Sequence, residues 1–159
     1  MIRKTLETRR VDRRELLTLL GAGTVAAMGI SMAGPAFADA KATDAAIQKV
    51  TGGKGATVGK ITLETPQIAE NGSTVPVGIV VDSPMTDADH IKTVHLYADG
   101  NPNPDVATFH FTTMSGKADV STRIRLAKTQ NVVAVAEMSD GSFMMAKSEI
   151  KVTIGGCGG

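Results

Sequence analysis

The residue whose chemistry stands out is Cys157, the sole cysteine of the chain, set in Gly155-Gly156-Cys157-Gly158-Gly159. One cysteine cannot form a disulfide within the chain, so the thiol is either an intermolecular partner or a reactive group. Four glycines around it contribute nothing to a packed core, and ordering them costs more conformational entropy than ordering any other residue. The segment therefore reads as a thin, flexible arm. Five extended residues span at most roughly 17 Å, enough to carry a thiol into a narrow cleft of another protein. The chemistry this favours is covalent carriage, with sulfur bonded to the thiol and presented to successive enzymes. No histidine or lysine lies beside Cys157 in sequence, and a carboxylate close by disfavours the thiolate. Activation is therefore expected from a partner enzyme, with Cys157 an attachment point and no residue of the chain assigned as catalytic.

What an odd thiol can do depends on the redox state of its compartment, and the first 38 residues address that. They hold six Arg or Lys against three acidic residues, followed by a Gly/Ala-rich, mildly apolar stretch and an Ala36-Phe37-Ala38 exit. These are the three zones of a cleavable export leader, read over residues 1–38 with cleavage before Asp39. Arg13-Arg14, followed by Glu15-Leu16-Leu17, is similar to a twin-arginine export motif; Arg9-Arg10 is a poorer match. The expectation is export through the Tat translocase to the periplasm, with no permanent membrane anchor. The remaining residues carry 11 basic and 13 acidic side chains. Without a cationic stripe, they offer no nucleic-acid-binding surface.

The arm needs a body to project from. Thr43 is predicted to cap a short helix from Asp44 to about Val50, within a helix-and-linker region over residues 39–56. Gly52-Gly53-Lys54-Gly55 ends it; the glycine and hydroxyl spacing of a phosphate loop is absent. Residues 57–154 are read as one domain of alternating apolar and polar runs separated by turns. Ile61–Glu64 and Val75–Val81 are paired as a hairpin across Asn71-Gly72, with Pro66 as an edge or break. Further strands are placed at Ile91–Ala98, Val106–Thr113, Val120–Leu126, Val132–Met138, Phe143–Met145 and Ile150–Ile154. Pro-fixed Asn101-Pro102-Asn103-Pro104 connects two of them. The fold class is all-β: an immunoglobulin-like antiparallel β-sandwich of about seven strands, with a short N-terminal helix and a flexible C-terminal arm over residues 155–159.

Several segments carry a family resemblance. The terminal Gly-Gly-Cys-Gly-Gly, Pro66-Gln67-Ile68-Ala69-Glu70-Asn71-Gly72, Asn101-Pro102-Asn103-Pro104 and Ser121-Thr122-Arg123-Ile124-Arg125 are similar to the SoxY family, over nearly the whole mature chain. The resemblance implies a periplasmic sulfur carrier of thiosulfate oxidation, paired with SoxZ as a heterodimer. It also implies transient visits to the haem-containing SoxXA, the hydrolase SoxB and the sulfur dehydrogenase SoxCD, with no cofactor of its own. On that view Cys157 is the covalent sulfur attachment site, and Gly155, Gly156, Gly158 and Gly159 are the arm.

Other readings of the same residues are weaker. His90, His95, His110 and five mature methionines make no close cluster of metal-ligand spacing, and His90 and His95 fall on opposite faces of a strand. Arg123 and Arg125 share a strand face, as a solvated surface or as a seat for an anionic partner. Asn71-Gly72-Ser73 matches a glycosylation acceptor, but behind a bacterial-type leader it is only a turn. A ubiquitin-like carrier also ends in Gly-Gly but acts in the cytoplasm through its carboxylate, and an exported scaffold needs neither thiol nor arm.

Overall fold

In the computed structural model, residues 40–156 are described; the leader expected over residues 1–38, including Arg13 and Arg14, lies outside them, as do Cys157, Gly158 and Gly159. The chain starts with helix α1 (Ala40–Thr51) and continues through β1 (Ala56–Val58), β2 (Ile61–Glu64), β3 (Ile68–Asn71), β4 (Val75–Val81), β5 (Ile91–Ala98), β6 (Asp105–His110), β7 (Ala118–Ile124), β8 (Gln130–Met138) and β9 (Phe143–Ile154). One sheet runs β1-β9-β8-β5-β6, with β3 also paired to β9, and the other runs β2-β4-β7. This is the expected immunoglobulin-like sandwich, with one short helix before it.

Alternation explains the core. In β4, Val75, Val77, Ile79 and Val81 point inward and are almost completely buried. They meet Val94, Leu96, Val132, Ala134, Ala136 and Ile150 from the larger sheet. Burial of this kind is worth about 25 cal/mol per Å² of apolar surface removed from water. The outward face of β8 is also buried, because Val133 and Val135, with Tyr97 and Phe143, lie under Ala46, Ile47 and Val50 of α1. A strand covered on both faces is hydrophobic almost throughout, as Val132–Ala136 is.

The helix is longer than expected at its start, so Thr43 lies inside it and is not its cap. Its hydroxyl is buried with no hydrogen-bond partner among the described residues. At the other end Gly52 and Gly53 adopt φ of 61° and 79°, and the Gly53 amide donates to the Gln48 carbonyl at 3.1 Å. Left-handed backbone of this kind is the usual glycine helix stop.

Three differences from the expected strand map share a cause. The runs Phe143–Met145 and Ile150–Ile154 are one strand, because neighbouring strands pair with it along its length: β8 on one side, β1 and β3 on the other. β2 and β4 are antiparallel neighbours, with Leu63 opposite Ile79. They are not a simple hairpin, however, since β3 intervenes and crosses to the other sheet, where it runs parallel to β9. Strands as short as β1 and β3 carry too little alternation to announce themselves; their partners decide them.

Candidate functional site

The end of β9 delivers the chain to a junction of three segments. The Gly72 amide donates to the Ile154 carbonyl at 2.7 Å, the Leu126 amide donates to the Gly72 carbonyl at 2.8 Å, and the Gly156 amide donates to the Leu126 carbonyl at 2.9 Å. Backbone thus bonds backbone across the β3–β4 turn, the segment after β7 and the root of the tail. Leu126 itself is fully buried, which pins the middle segment to the core.

Such closeness dictates residue type. A Cβ on Gly72 would fall on the Leu126 carbonyl oxygen and stand 2.8 Å from the Gly156 nitrogen. One on Gly155 would fall on the Ala127 carbonyl oxygen, and one on Gly156 would stand 2.7 Å from the Gly72 carbonyl oxygen. None of these three glycines has a positive φ, so space and not backbone freedom is what they supply. Gly155 and Gly156, expected to belong to a freely moving arm, are held against the domain, and Gly156 is buried.

The segment after β7 is itself fastened from behind. Asn101, 2% exposed, donates through Nδ2 to the Arg125 carbonyl at 2.8 Å. Its Oδ1 accepts from the Ala127 amide at 3.0 Å and from Gln130 Nε2 at 2.8 Å. Gln130 Oε1 in turn accepts from the Gly100 amide at 2.7 Å. On the far side of the junction, Asn71 Oδ1 accepts from the Ser73 amide at 2.9 Å, a local turn that an asparagine side chain commonly closes. Residues 71–72, 101, 125–127, 154 and 156, distant in sequence, therefore form one hydrogen-bonded unit.

The sequence marks Asn71-Gly72 and Asn101–Pro104 as turns and offers no local reason to place them beside the tail. The signal available was that both, with Ser121–Arg125 and the tail, carry the family resemblance; what they share is this junction. Leu126 and Ala127 carried no signal, because their part is played by backbone carbonyls and amides.

The other candidates are not drawn together. Arg123 and Arg125 are exposed, and no ion pair to either occurs among the described residues. The histidines are tied locally: His90 Nδ1 to the Thr86 carbonyl at 3.0 Å, His95 Nδ1 to Thr108 Oγ1 at 3.1 Å, and His110 Nδ1 to Thr93 Oγ1 at 3.5 Å. Partial burial holds the His95 imidazole below its ordinary pKa, opposed by Asp105 and Glu137. Among the described residues, no three His, Cys, Asp or Glu side chains are grouped to hold a metal. None of their helices is long and apolar enough to cross a membrane.

A family model described as sulfur oxidation protein SoxY matches residues 47–157. Among solved structures, the chain is similar to the sulfur carrier protein SoxY from Chlorobium limicola f thiosulfatophilum: 33% identity, TM-score 0.58, covering 73% of this chain and 100% of that one. The superoxide reductase (neelaredoxin) from Ignicoccus hospitalis is similar at 24% identity and TM-score 0.53, over 59% of this chain and 80% of that one. At that identity the likeness concerns the sandwich alone. No curated protein sequence matches.

Proposed function

The chain belongs to the SoxY family, and we propose on that footing that it is a sulfur carrier of thiosulfate oxidation, binding its intermediates covalently on Cys157. The observation that carries this reading is the last strand running straight into a glycine-bracketed thiol. A 12-residue strand ends at Ile154, Gly155 and Gly156 are seated on the domain, and the next residue is the chain's one cysteine.

The Cys157 thiol and the outer sulfur of thiosulfate join in an S–S bond, releasing one proton and two electrons to the haem of SoxXA. Water, admitted by SoxB, then cleaves the bond between the sulfone and the sulfane sulfur, releasing sulfate and leaving a persulfide on Cys157. SoxCD then takes six electrons from that sulfane sulfur while three waters supply its oxygens, and a second hydrolysis by SoxB releases sulfate and restores the Cys157 thiol. Each enzyme brings its own chemistry, so the chain is a carrier and not a catalyst. SoxZ is the proposed heterodimer partner, and the periplasm, reached through Arg13-Arg14 and the Tat translocase, the proposed location.

The test is Cys157→Ser in a reconstituted thiosulfate-oxidising mixture. Turnover is expected to disappear while the far-ultraviolet spectrum and partner binding stay unchanged; retained turnover would remove the central claim. Intact-mass measurement after incubation with thiosulfate and the loading enzyme should show thiol-reducible adducts confined to the peptide containing Cys157.

A further inference from the structure

We propose that Gly72 is the positioning residue of the carrier arm, and that with Leu126 it sets the pivot at Gly156 and not at the end of β9. The proposal rests on the carrier reading above but makes a separate structural claim. Three backbone hydrogen bonds of 2.7 to 2.9 Å link Ile154, Gly72, Leu126 and Gly156 in series. Each glycine in the series lies where a Cβ would collide with backbone, which cannot swing aside as a side-chain tip does. The clamp is braced by Asn101 on the Arg125 carbonyl and Ala127 amide, so the carbonyl that receives Gly156 belongs to a fixed segment.

The consequence is a change of reach. A cysteine swinging from Ile154 would travel roughly 10 Å, three extended residues; pivoting at Gly156, its Cα stays about 3.8 Å from the last held residue. The freedom of Gly155 and Gly156 is therefore lost already, before any enzyme arrives. Pre-ordering of this kind lowers the cost of association and leaves the chemical step alone. An enzyme taking the thiol must approach the end of the sandwich that displays Asn71–Ser73 and Arg125–Ala127.

Two variants of the full chain test this. Gly72→Ala places a methyl group in the clamp from the domain side; Gly156→Ala does so from the tail, where folding of the sandwich is not at stake. In the unmodified chain, the Gly156 amide should exchange with solvent more than about tenfold slower than in a free Gly-Gly-Cys-Gly-Gly peptide. In both variants that protection should vanish. The KM of the loading enzyme for the carrier should rise several-fold with kcat unchanged, and alkylation of the thiol by iodoacetamide should keep its pH profile. Exchange at the free-peptide rate in the unmodified chain would overturn the proposal, as would an unchanged KM in a Gly156→Ala chain whose amide at position 156 is unprotected. Turnover surviving in Cys157→Ser would instead remove the carrier reading, leaving the exchange result where it stands.

Discussion

Asn101 Oδ1 accepts the amide hydrogen of Ala127 at 3.0 Å from a side chain that is almost wholly buried. One carboxamide thus satisfies main-chain groups of a segment 24 to 26 residues later in the chain. Replacing it with alanine would strand the Arg125 carbonyl and the Ala127 amide at once, while Gln130 Nε2 would keep its bond to the Lys128 carbonyl. Stranded buried polar groups cost about 1 to 3 kcal/mol each where water cannot reach them. Asn101→Ala is expected to lower unfolding stability by about 2 to 6 kcal/mol, the sum for two stranded groups, measured as a shift of the urea midpoint. A loss below about 0.5 kcal/mol would mean that water replaces the side chain.

His95 predicts an acid sensitivity. Burial lowers its folded pKa beneath the ordinary value of 6.5, so below pH 6.5 the unfolded chain binds the proton more readily than the folded one. The stabilising effect of a neutral His95 is complete above that pH and is lost as the pH falls through 6.5 toward the depressed folded value. Denaturation midpoints compared between pH 7.5 and 5 should fall less in His95→Gln than in the unmodified chain. Equal slopes would sink this assignment.

The helix is expected to contribute through packing. Ile47, half-buried on Tyr97, Val133, Val135 and Phe143, should cost about 1 to 2 kcal/mol when cut to alanine, in proportion to the apolar area lost. Circular dichroism during the same titration should report one transition, because the helix has no core of its own.

By contrast, the Lys92–Glu137 pair should matter little. Its nitrogen and oxygen are 3.3 Å apart, but the side chains are 46% and 30% exposed. Lys92→Met should move stability by no more than about 0.5 kcal/mol, and raising the salt concentration should not enlarge the difference.

The architecture was legible wherever alternation ran long. Val75–Val81 and Ile91–Ala98 have the bounds expected of them, because five or more alternating positions leave one face to bury. Ala56–Val58 and Ile68–Asn71 were not legible, since each becomes a strand only by lying along β9. The arm's composition was plain, but its first two glycines were read for freedom when the structure uses them for clearance. Nothing in Leu126 or Ala127 marks them as holding the tail, since any residue offers a carbonyl. The spatial convergence of Gly72, Asn101 and Gly156 depends on tertiary closure that no local window contains.

β9 has one more implication, for how the domain comes into being. Of the described strands it is made last, yet it lies between β8 on one flank and β1 and β3 on the other. The larger sheet therefore stays split during synthesis, its earlier strands waiting for a central member made after all of them. Closure of this sheet must await β9 and is governed by long-range pairings that form slowly. Completion of the sandwich and seating of the tail glycines thus become nearly the same event, so a chain truncated within this strand would lose its body along with its arm.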